Sequence, residues 1–422
     1  MDIIIINSDN YLSLDTLTLT SIKIDRITMT SEMIDTFLSK PLSSLSKLDC
    51  RYTSISNIPE LPKLTTLNCC NCSNLTNIPL LYTLTGLDCS GCNNITSIPI
   101  LPNLLSLDCG GCTKLIDMPV LPKLTNLRCY DCSNLISIPL LDTLTDLNCS
   151  YCDKITSIPI LTNLTTLRCI GCDNINNIPL LYSLTSLDCR NCNKLTTIPT
   201  LNTLTLLSCS KCINIEVIPL LYNLNYLYCS ECDKLTSIPI LPNLLTLECN
   251  NCYKLTSIPD LKSLTSLTCS GCYKLSNIPV LPSLDVLNCT YCFSIRDIPD
   301  LPCLTVLFCD GCDNLTSISP LLLLTYLSCS NCINLINIPI LPSLITLYFS
   351  SCDNLNKHTV PLKFLGLKNL TSVIICEAIE YNKLNVEYIQ NCLNTNTKFT
   401  DDKRELLENI VNNNLLVKSA YK

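Results

Sequence analysis

Residues 181–200 read LYSLTSLDCRNCNKLTTIPT, and this stretch decides the fold. Its fixed positions are Leu181, Leu184, Leu187, Cys189, Cys192, Leu195, Ile198 and Pro199. The pattern L-x-x-L-x-x-L-x-C-x-x-C-x-x-[LI]-x-x-I-P-x repeats in fourteen consecutive copies between residues 61 and 340, without insertion, and only Met118 and Ser319 depart from it. A fixed period of this length is typical of a solenoid, in which each repeat buries its apolar side by stacking on its neighbours.

Each copy predicts one short strand around its third leucine. Side chains alternate there, so Leu187 and Cys189 should point inward while their neighbours point outward. The Ile-Pro segment should return as extended backbone, because proline fixes φ and lacks a donor. The predicted fold belongs to the α/β repeat class but is mostly β. We expect one curved parallel β-sheet on the concave face and an extended, polyproline-like convex face.

The repeat resembles that of leucine-rich repeat proteins, which begins L-x-x-L-x-L-x-x-[NC]-x-L. Leu64, Leu67, Cys69 and Cys72 fit this pattern if Cys69 replaces the third leucine. The Ile-Pro-x-Leu-Pro return is similar to the short repeats of secreted bacterial effectors, and the cysteines are similar to the subfamily found in F-box proteins. Long regular arrays rich in Asn, Ile and Lys also resemble proteins of giant DNA viruses. The resemblance implies a leucine-rich repeat solenoid that binds other proteins.

The repeat also divides the chain into three predicted segments. Residues 1–40 lack it and are interpreted as an N-terminal cap, with small strands at Leu17/Leu19, Ile22/Ile24 and Ile27/Met29. Residues 41–360 form the array, with about 16 copies of 20 residues. Residues 361–422 are interpreted as a C-terminal cap, with one more strand at 367–375 and a helix that Thr400 begins. Little helix is expected elsewhere.

Composition excludes several classes of protein. The formal net charge of −7 argues against a nucleic-acid binder, which needs a basic surface. No apolar run approaches the ~18 residues that span a bilayer, and no signal peptide is evident. The expected location is therefore the cytoplasm, or the host cytoplasm if the protein is viral. We expect a monomer.

The 34 cysteines allow three interpretations. Two adjacent copies give C-x2-C-x16-C-x2-C, as in Cys89, Cys92, Cys109 and Cys112, which matches a four-cysteine zinc site. The favoured interpretation is that both cysteines are core positions of the repeat, held as buried thiols in a reducing compartment. Disulfides between equivalent cysteines of neighbouring copies are possible but not favoured, because their Cβ vectors are parallel.

Enzymatic function is not expected, and no cofactor or metal is assigned. The one histidine, His358, lies where the last repeat decays, and no phosphate-binding glycine motif is present. The tail holds only Cys376 and Cys392, too little for the catalytic cysteine domain of some effectors. A role in ubiquitin ligation, as a substrate-recognition subunit, would have to act through a partner.

The outward positions of the predicted strands change character along the chain. They are polar and of mixed charge in the N-terminal half, as in Asp88, Arg128 and Asp188, and aromatic or aliphatic in the C-terminal half. The candidate partner-binding residues are Tyr226, Tyr228, Val286, Val306, Phe308, Tyr326 and Tyr348. Aromatic anchors on a sheet surface are typical of protein-binding sites. An aliphatic convex stripe (Leu80, Ile100, Leu140, Ile160, Ile240) is the second candidate surface, although packing of copy on copy is favoured there.

These observations favour a non-enzymatic scaffold that binds a protein partner through the concave face of the solenoid. Two other hypotheses stay open at this point. One is a thiol protein that handles metal or redox equivalents through its C-x-x-C ladders. The other is an array maintained by repeat expansion with little specific function.

Overall fold

The computed structural model describes residues 3–25 and 27–355 and the short strand at 372–373. It divides the chain into two compact units, Met1–Leu224 and Asn225–Lys422. Each unit is a parallel β-solenoid, and about 17 turns are present in all, with almost no helix. The prediction of a mostly β repeat solenoid is thus confirmed.

The first unit contains eleven of the strands and the one described helix. These elements are β1 (Ile4–Ile6), β2 (Ser21–Ile24), α1 (Ser31–Leu38), β3 (Lys47–Asp49), β4 (Thr66–Asn68), β5 (Gly86–Asp88), β6 (Ser106–Asp108), β7 (Asn126–Arg128), β8 (Asp146–Asn148), β9 (Thr166–Arg168), β10 (Ser186–Asp188) and β11 (Leu206–Ser208).

The second unit contains the remaining described strands. These are β12 (Tyr226–Tyr228), β13 (Thr246–Glu248), β14 (Ser266–Thr268), β15 (Val286–Asn288), β16 (Asp297–Ile298), β17 (Val306–Phe308), β18 (Ser317–Ile318), β19 (Tyr326–Ser328), β20 (Thr346–Tyr348) and β21 (Ser372–Val373).

Within each unit, strands of successive turns pair in parallel and in register. Leu187 of β10 is paired with Leu167 of β9 on one side and with Leu207 of β11 on the other. Because the register shift equals the twenty-residue period, every position of the repeat stacks on the same position of the next turn. Outward residues therefore form columns across the strands.

The core consists of stacked leucine, isoleucine and cysteine side chains. In the copy quoted above, Leu181, Leu184, Leu187, Cys189, Cys192 and Leu195 are fully buried, and Ile198 is nearly so. Fully burying a leucine side chain is worth about 1.5–3 kcal/mol. Within the described part of the chain, no buried side-chain nitrogen or oxygen lacks a hydrogen-bond partner.

The spacing of the two cysteines follows from a tight turn after each strand. The residue just before the second cysteine has positive φ, for example 72° at Gly111 and 58° at Asn191. Only glycine adopts this left-handed region without cost, and asparagine and aspartate adopt it more easily than most residues. The turn reverses the chain direction, so that Cys189 and Cys192 both face the core.

The return path is extended and ends in a second turn. The amide of Leu204 donates to the carbonyl of Leu201 at 3.1 Å, and the same bond recurs in the other copies. Proline often stands second in this Leu-to-Leu turn, where its fixed φ suits the geometry. On the return side, the described residues of the second unit add one small parallel pair, β16 with β18.

The N-terminal segment differs from its prediction. The strand predicted at Ile22/Ile24 is present as β2, which pairs with β1 and β3. The strands predicted at Leu17/Leu19 and Ile27/Met29 are wrong, since neither pair lies in a strand. Instead, α1 begins after Thr30, whose hydroxyl accepts from the amide of Met33, and buries Ile34, Phe37 and Leu38. This one short helix agrees with the expectation of little helix outside the C-terminal cap.

At the other end, β21 pairs with β20 and places Val373 beside Leu347. β21 lies within residues 367–375, where the leucine spacing restarts, and the C-terminal cap stays a prediction. The helix expected after Thr400 lies outside the described residues, as do His358, Cys376 and Cys392. No described helix has the length and apolar character needed to cross a membrane.

Because the core leucines are stacked, replacing a buried leucine should lower the free energy of unfolding much more than replacing an exposed one. Leu187→Ala should lower the free energy of unfolding by about 2–5 kcal/mol, because it leaves a cavity in a column that both neighbouring turns share. The measurement is urea denaturation followed by far-UV circular dichroism.

Leu180→Ala is the matched control, since Leu180 is 45% exposed on the return side. Its effect should stay within about 0.5 kcal/mol. Equal losses from the two substitutions would contradict the assignment of Leu187 to the core column.

Candidate functional site

The seven predicted binding residues all lie on strands of the second unit. Tyr226 and Tyr228 are on β12, Val286 is on β15, and Val306 and Phe308 are on β17. Tyr326 is on β19, and Tyr348 is on β20. Each flanks the buried third leucine of its copy, so each side chain points away from the core.

Five of these residues come together. Val286 pairs with Val306, and Val306 pairs with Tyr326, so these three form one column across adjacent strands. Phe308 and Tyr348 belong to the second outward column, with Ser328 between them. We call Val286, Val306, Phe308, Tyr326 and Tyr348 the aromatic patch.

The three rings of the aromatic patch are in contact. The ring centroids of Phe308 and Tyr326 are 4.9 Å apart with an interplanar angle of 47°. Those of Tyr326 and Tyr348 are 5.6 Å apart at 46°. Such contacts add about 0.5–1.5 kcal/mol per pair beyond simple burial. All five side chains of the patch remain partly exposed, so the surface is ordered and still accessible.

Tyr226 and Tyr228 do not join the patch. Two strands separate them from Val286, namely β13 with outward Thr246 and Glu248, and β14 with Ser266 and Thr268. The sequence grouped these tyrosines with the others because they share the same repeat positions. Residues at the same repeat position are therefore in contact only when their strands are adjacent.

The electrostatic surroundings of the patch are acidic. Asp310 accepts hydrogen bonds from the hydroxyl of Ser328 at 2.6 Å and from the amide of Ser330 at 2.8 Å. Partial burial raises the pKa of the Tyr326 hydroxyl, and neighbouring Tyr348 and Asp310 raise it further. The hydroxyl therefore stays protonated at neutral pH and can donate a hydrogen bond.

In the first unit, several charged side chains at outward positions form ion pairs with one another. Arg190 forms an ion pair with Asp188 at 2.7 Å, and Arg168 pairs with Asp146 at 3.4 Å. Burial is the largest cause that raises the pKa of Asp108, and nearby Asp88 adds to it. Exposed ion pairs of this kind contribute little to stability. They leave the first unit with a mixed polar surface.

A second aromatic cluster lies at the turns after the strands, outside the set of binding residues predicted from the sequence. Tyr253, Tyr273 and Phe293 each follow the second cysteine of their copy, and their rings stack with centroids 5.2 and 5.1 Å apart. Tyr291, in the left-handed position of its turn, adds an edge contact to Phe293. We call these four residues the aromatic ladder. The twenty-residue spacing of Tyr253, Tyr273 and Phe293 in the sequence indicates that their side chains stack.

The return-side stripe is exposed. Leu80, Leu140 and Ile160 are 51%, 55% and 59% accessible, and Ile100 and Ile240 are similar. Packing of copy on copy, which the sequence favoured for these residues, therefore does not bury them.

The cysteines form an inward-facing thiol array. All described cysteines are free thiols, and all except Cys70 and Cys303 are buried. Within each unit, the thiols of second cysteines donate to the carbonyl of the first cysteine in the preceding turn. Examples are Cys152 to Cys129 at 3.0 Å and Cys212 to Cys189 at 3.0 Å. The second cysteine therefore joins two successive turns through a hydrogen bond that its side chain donates.

Thiols from neighbouring turns also interact with each other. A hydrogen bond with Cys92 is the largest cause that raises the pKa of the Cys69 thiol, and burial is the next. The same bond lowers the pKa of Cys92. At the start of the array, the bond with Cys50 lowers the pKa of Cys72 to about 7. In these two cases the second cysteine ionises more easily than the first.

The four-cysteine zinc hypothesis finds no matching geometry in the described part of the chain. No three His, Cys, Asp or Glu side chains there are grouped so that they could hold a metal ion. The second cysteines instead donate to backbone carbonyls, as Cys92 does to that of Cys69 at 3.0 Å.

Comparisons with protein-family models, with curated proteins and with solved structures found no match. Membership of the leucine-rich repeat family and the relation to giant-virus proteins therefore stay predictions that rest on the repeat motif.

The thiol-to-carbonyl bond generates a prediction about stability. Cys152→Ala should lower the free energy of unfolding by about 1–3 kcal/mol, because it removes the donor to the Cys129 carbonyl and leaves a small void. Cys152→Ser should cost less, since a hydroxyl can still donate there.

Urea denaturation of both variants and the wild type measures the difference. An alanine variant as stable as the serine variant would show that the sulfur serves only to fill space.

Proposed function

We propose that the protein is a non-enzymatic interaction scaffold that binds a protein partner through the aromatic patch of its second unit. The observation that carries this proposal is the contact of Phe308, Tyr326 and Tyr348 on adjacent strands, partly exposed and beside aliphatic Val286 and Val306. Large aromatic side chains dominate the energy of protein interfaces.

The backbone supports this role by fixing the patch before a partner arrives. Val306, Tyr326 and Thr346 lie on three strands that are paired in register. The rings of Phe308, Tyr326 and Tyr348 are already in mutual contact, so binding would cost little conformational entropy. On the leucine-rich repeat interpretation, this strand face is the concave surface of the solenoid. The cytoplasm and a monomeric state are parts of the same proposal.

The charges around the patch suggest the chemistry of the partner. Asp285 precedes Val286 and accepts from the hydroxyl of Thr305, and Asp310 lies near Tyr326. Neither carboxylate forms an ion pair with any residue that the structure describes. A partner segment with an apolar side chain and an adjacent lysine or arginine would satisfy both the rings and the carboxylates.

A phage-displayed library of random peptides tests this proposal. Selection on the wild-type protein should enrich apolar residues next to lysine or arginine. The dissociation constant of a selected peptide, measured by fluorescence anisotropy, should rise at least about 30-fold in the Phe308→Asp, Tyr326→Asp double variant, as expected for loss of about 2 kcal/mol at a hot spot.

Two single variants are the matched controls. Tyr226→Asp changes an exposed tyrosine on the same kind of strand outside the patch, and Tyr253→Asp disrupts the aromatic ladder. Both should bind the selected peptide as the wild type does, and circular dichroism should show that all variants are folded. Undiminished binding by the double variant, or loss in Tyr253→Asp instead, would refute the patch as the site.

A further inference from the structure

In the first unit, lysine and asparagine alternate in one column of turn residues, the second position after the second cysteine of each copy. The Nζ of each lysine there donates to the side-chain oxygen of the asparagine in the preceding turn. The bonds run from Lys114 to Asn94 at 2.7 Å, from Lys154 to Asn134 at 2.7 Å and from Lys194 to Asn174 at 2.6 Å. The alternation thus separates the lysines and gives each of these ammonium groups an acceptor.

The alternation stops in the second unit, where Lys234, Lys254 and Lys274 occupy this column in three consecutive turns. We call these three residues the lysine column. The residue one turn before Lys254 or Lys274 is itself a lysine, so no amide oxygen stands there. All three side chains are exposed, and none forms an ion pair with a carboxylate that the structure describes. Successive turns are about 4.8 Å apart, so the neighbouring ammonium groups repel one another.

The aromatic ladder lies in the same turns as the lysine column. Tyr253 and Tyr273 each immediately precede a lysine of the column, and their ring centroids are 5.2 Å apart. The rings of Tyr273 and Phe293 are 5.1 Å apart in the next turn. These three side chains are 41%, 44% and 37% exposed. Exposed rings and unpaired ammonium groups therefore form one continuous strip.

Acidic side chains limit the length of this strip. Asp233 and Asp313 stand in the column of the rings, one turn before Tyr253 and one turn after Phe293. The lysine column spans two turn spacings, or about 10 Å. A long polyanion such as a nucleic-acid strand would extend past the lysines toward these carboxylates and be repelled. A short anionic segment would not, so the strip favours a protein ligand.

We propose that the lysine column and the aromatic ladder together bind a short acidic segment of a protein, in which glutamate or aspartate residues flank an apolar side chain. The carboxylates would lie between neighbouring ammonium groups and remove their repulsion. The apolar side chain would pack against the exposed parts of the rings. This site is distinct from the aromatic patch, which has acidic surroundings, and the inference holds whether or not the patch binds a partner.

The test begins with selection of random phage-displayed peptides on the Phe308→Asp, Tyr326→Asp double variant. That variant lacks the aromatic patch, so the selection reports on the rest of the surface. The selected peptides should carry glutamate or aspartate next to an apolar residue. Absence of any selected peptide, or enrichment without acidic residues, would overturn the proposal whatever the patch itself binds.

Charge reversal then locates the site. The dissociation constant of a selected acidic peptide, measured by fluorescence anisotropy, should rise at least about tenfold in a Lys254→Glu, Lys274→Glu variant, because attraction becomes repulsion. The matched control is Lys114→Glu, Lys154→Glu, which changes the net charge equally at the same repeat position in the first unit. The control should bind as the parent protein does. Equal weakening in both variants would show an effect of net charge alone and refute the site.

A ring variant tests the aromatic part of the proposal. Tyr273→Ala removes the central ring of the stack and should also weaken binding at least about tenfold, as expected for an aromatic anchor. Tyr226→Ala, which removes an exposed tyrosine outside the ladder, should leave binding unchanged. Circular dichroism checks that every variant is folded. Tighter binding of a fluorescent single-stranded oligonucleotide than of the acidic peptide, abolished by the Lys254→Glu, Lys274→Glu substitutions, would instead identify a nucleic-acid site and overturn the inference.

Discussion

The stacking of identical positions from turn to turn is the constraint on which the rest of the structure depends. Most strands are only three residues long, and a strand of that length has no stability alone. Leu187 is buried because Leu167 and Leu207 lie in register on either side. A single insertion would shift every later outward residue out of its column. The constancy of the twenty-residue period is therefore a requirement of packing.

Cysteine suits the two inward positions at the turn because it is small, apolar and a weak donor. A leucine in place of Cys212 would fill the space but could not donate to the Cys189 carbonyl. The residue before the second cysteine has positive φ, as Lys211 does before Cys212 and Gly111 does before Cys112. This turn brings the second cysteine back toward the core. The same arrangement brings the thiol of the second cysteine to the carbonyl of the first cysteine in the preceding turn.

The period and the residue types were enough to predict the strands, the buried set and the extended return. Three features required the structure, for physical reasons. Helix α1 occurs once, so its spacing of Ile34, Phe37 and Leu38 was not supported by repetition. The bond from the Cys92 thiol to the Cys69 carbonyl depends on the offset between two inward columns, which spacing alone does not give. The patch needed actual ring contacts to separate Tyr326 from Tyr226.

Because packing fixes the inward positions, only outward positions are free to encode a function. In the first unit these positions carry charges that pair with one another, as Arg190 does with Asp188. In the second unit they carry rings that contact one another while acidic side chains beside them lack a cationic partner among the described residues. Exposed aromatic area is costly to leave in water, whereas exposed ion pairs are nearly neutral in free energy. The second unit is therefore where association with a partner would recover the most free energy.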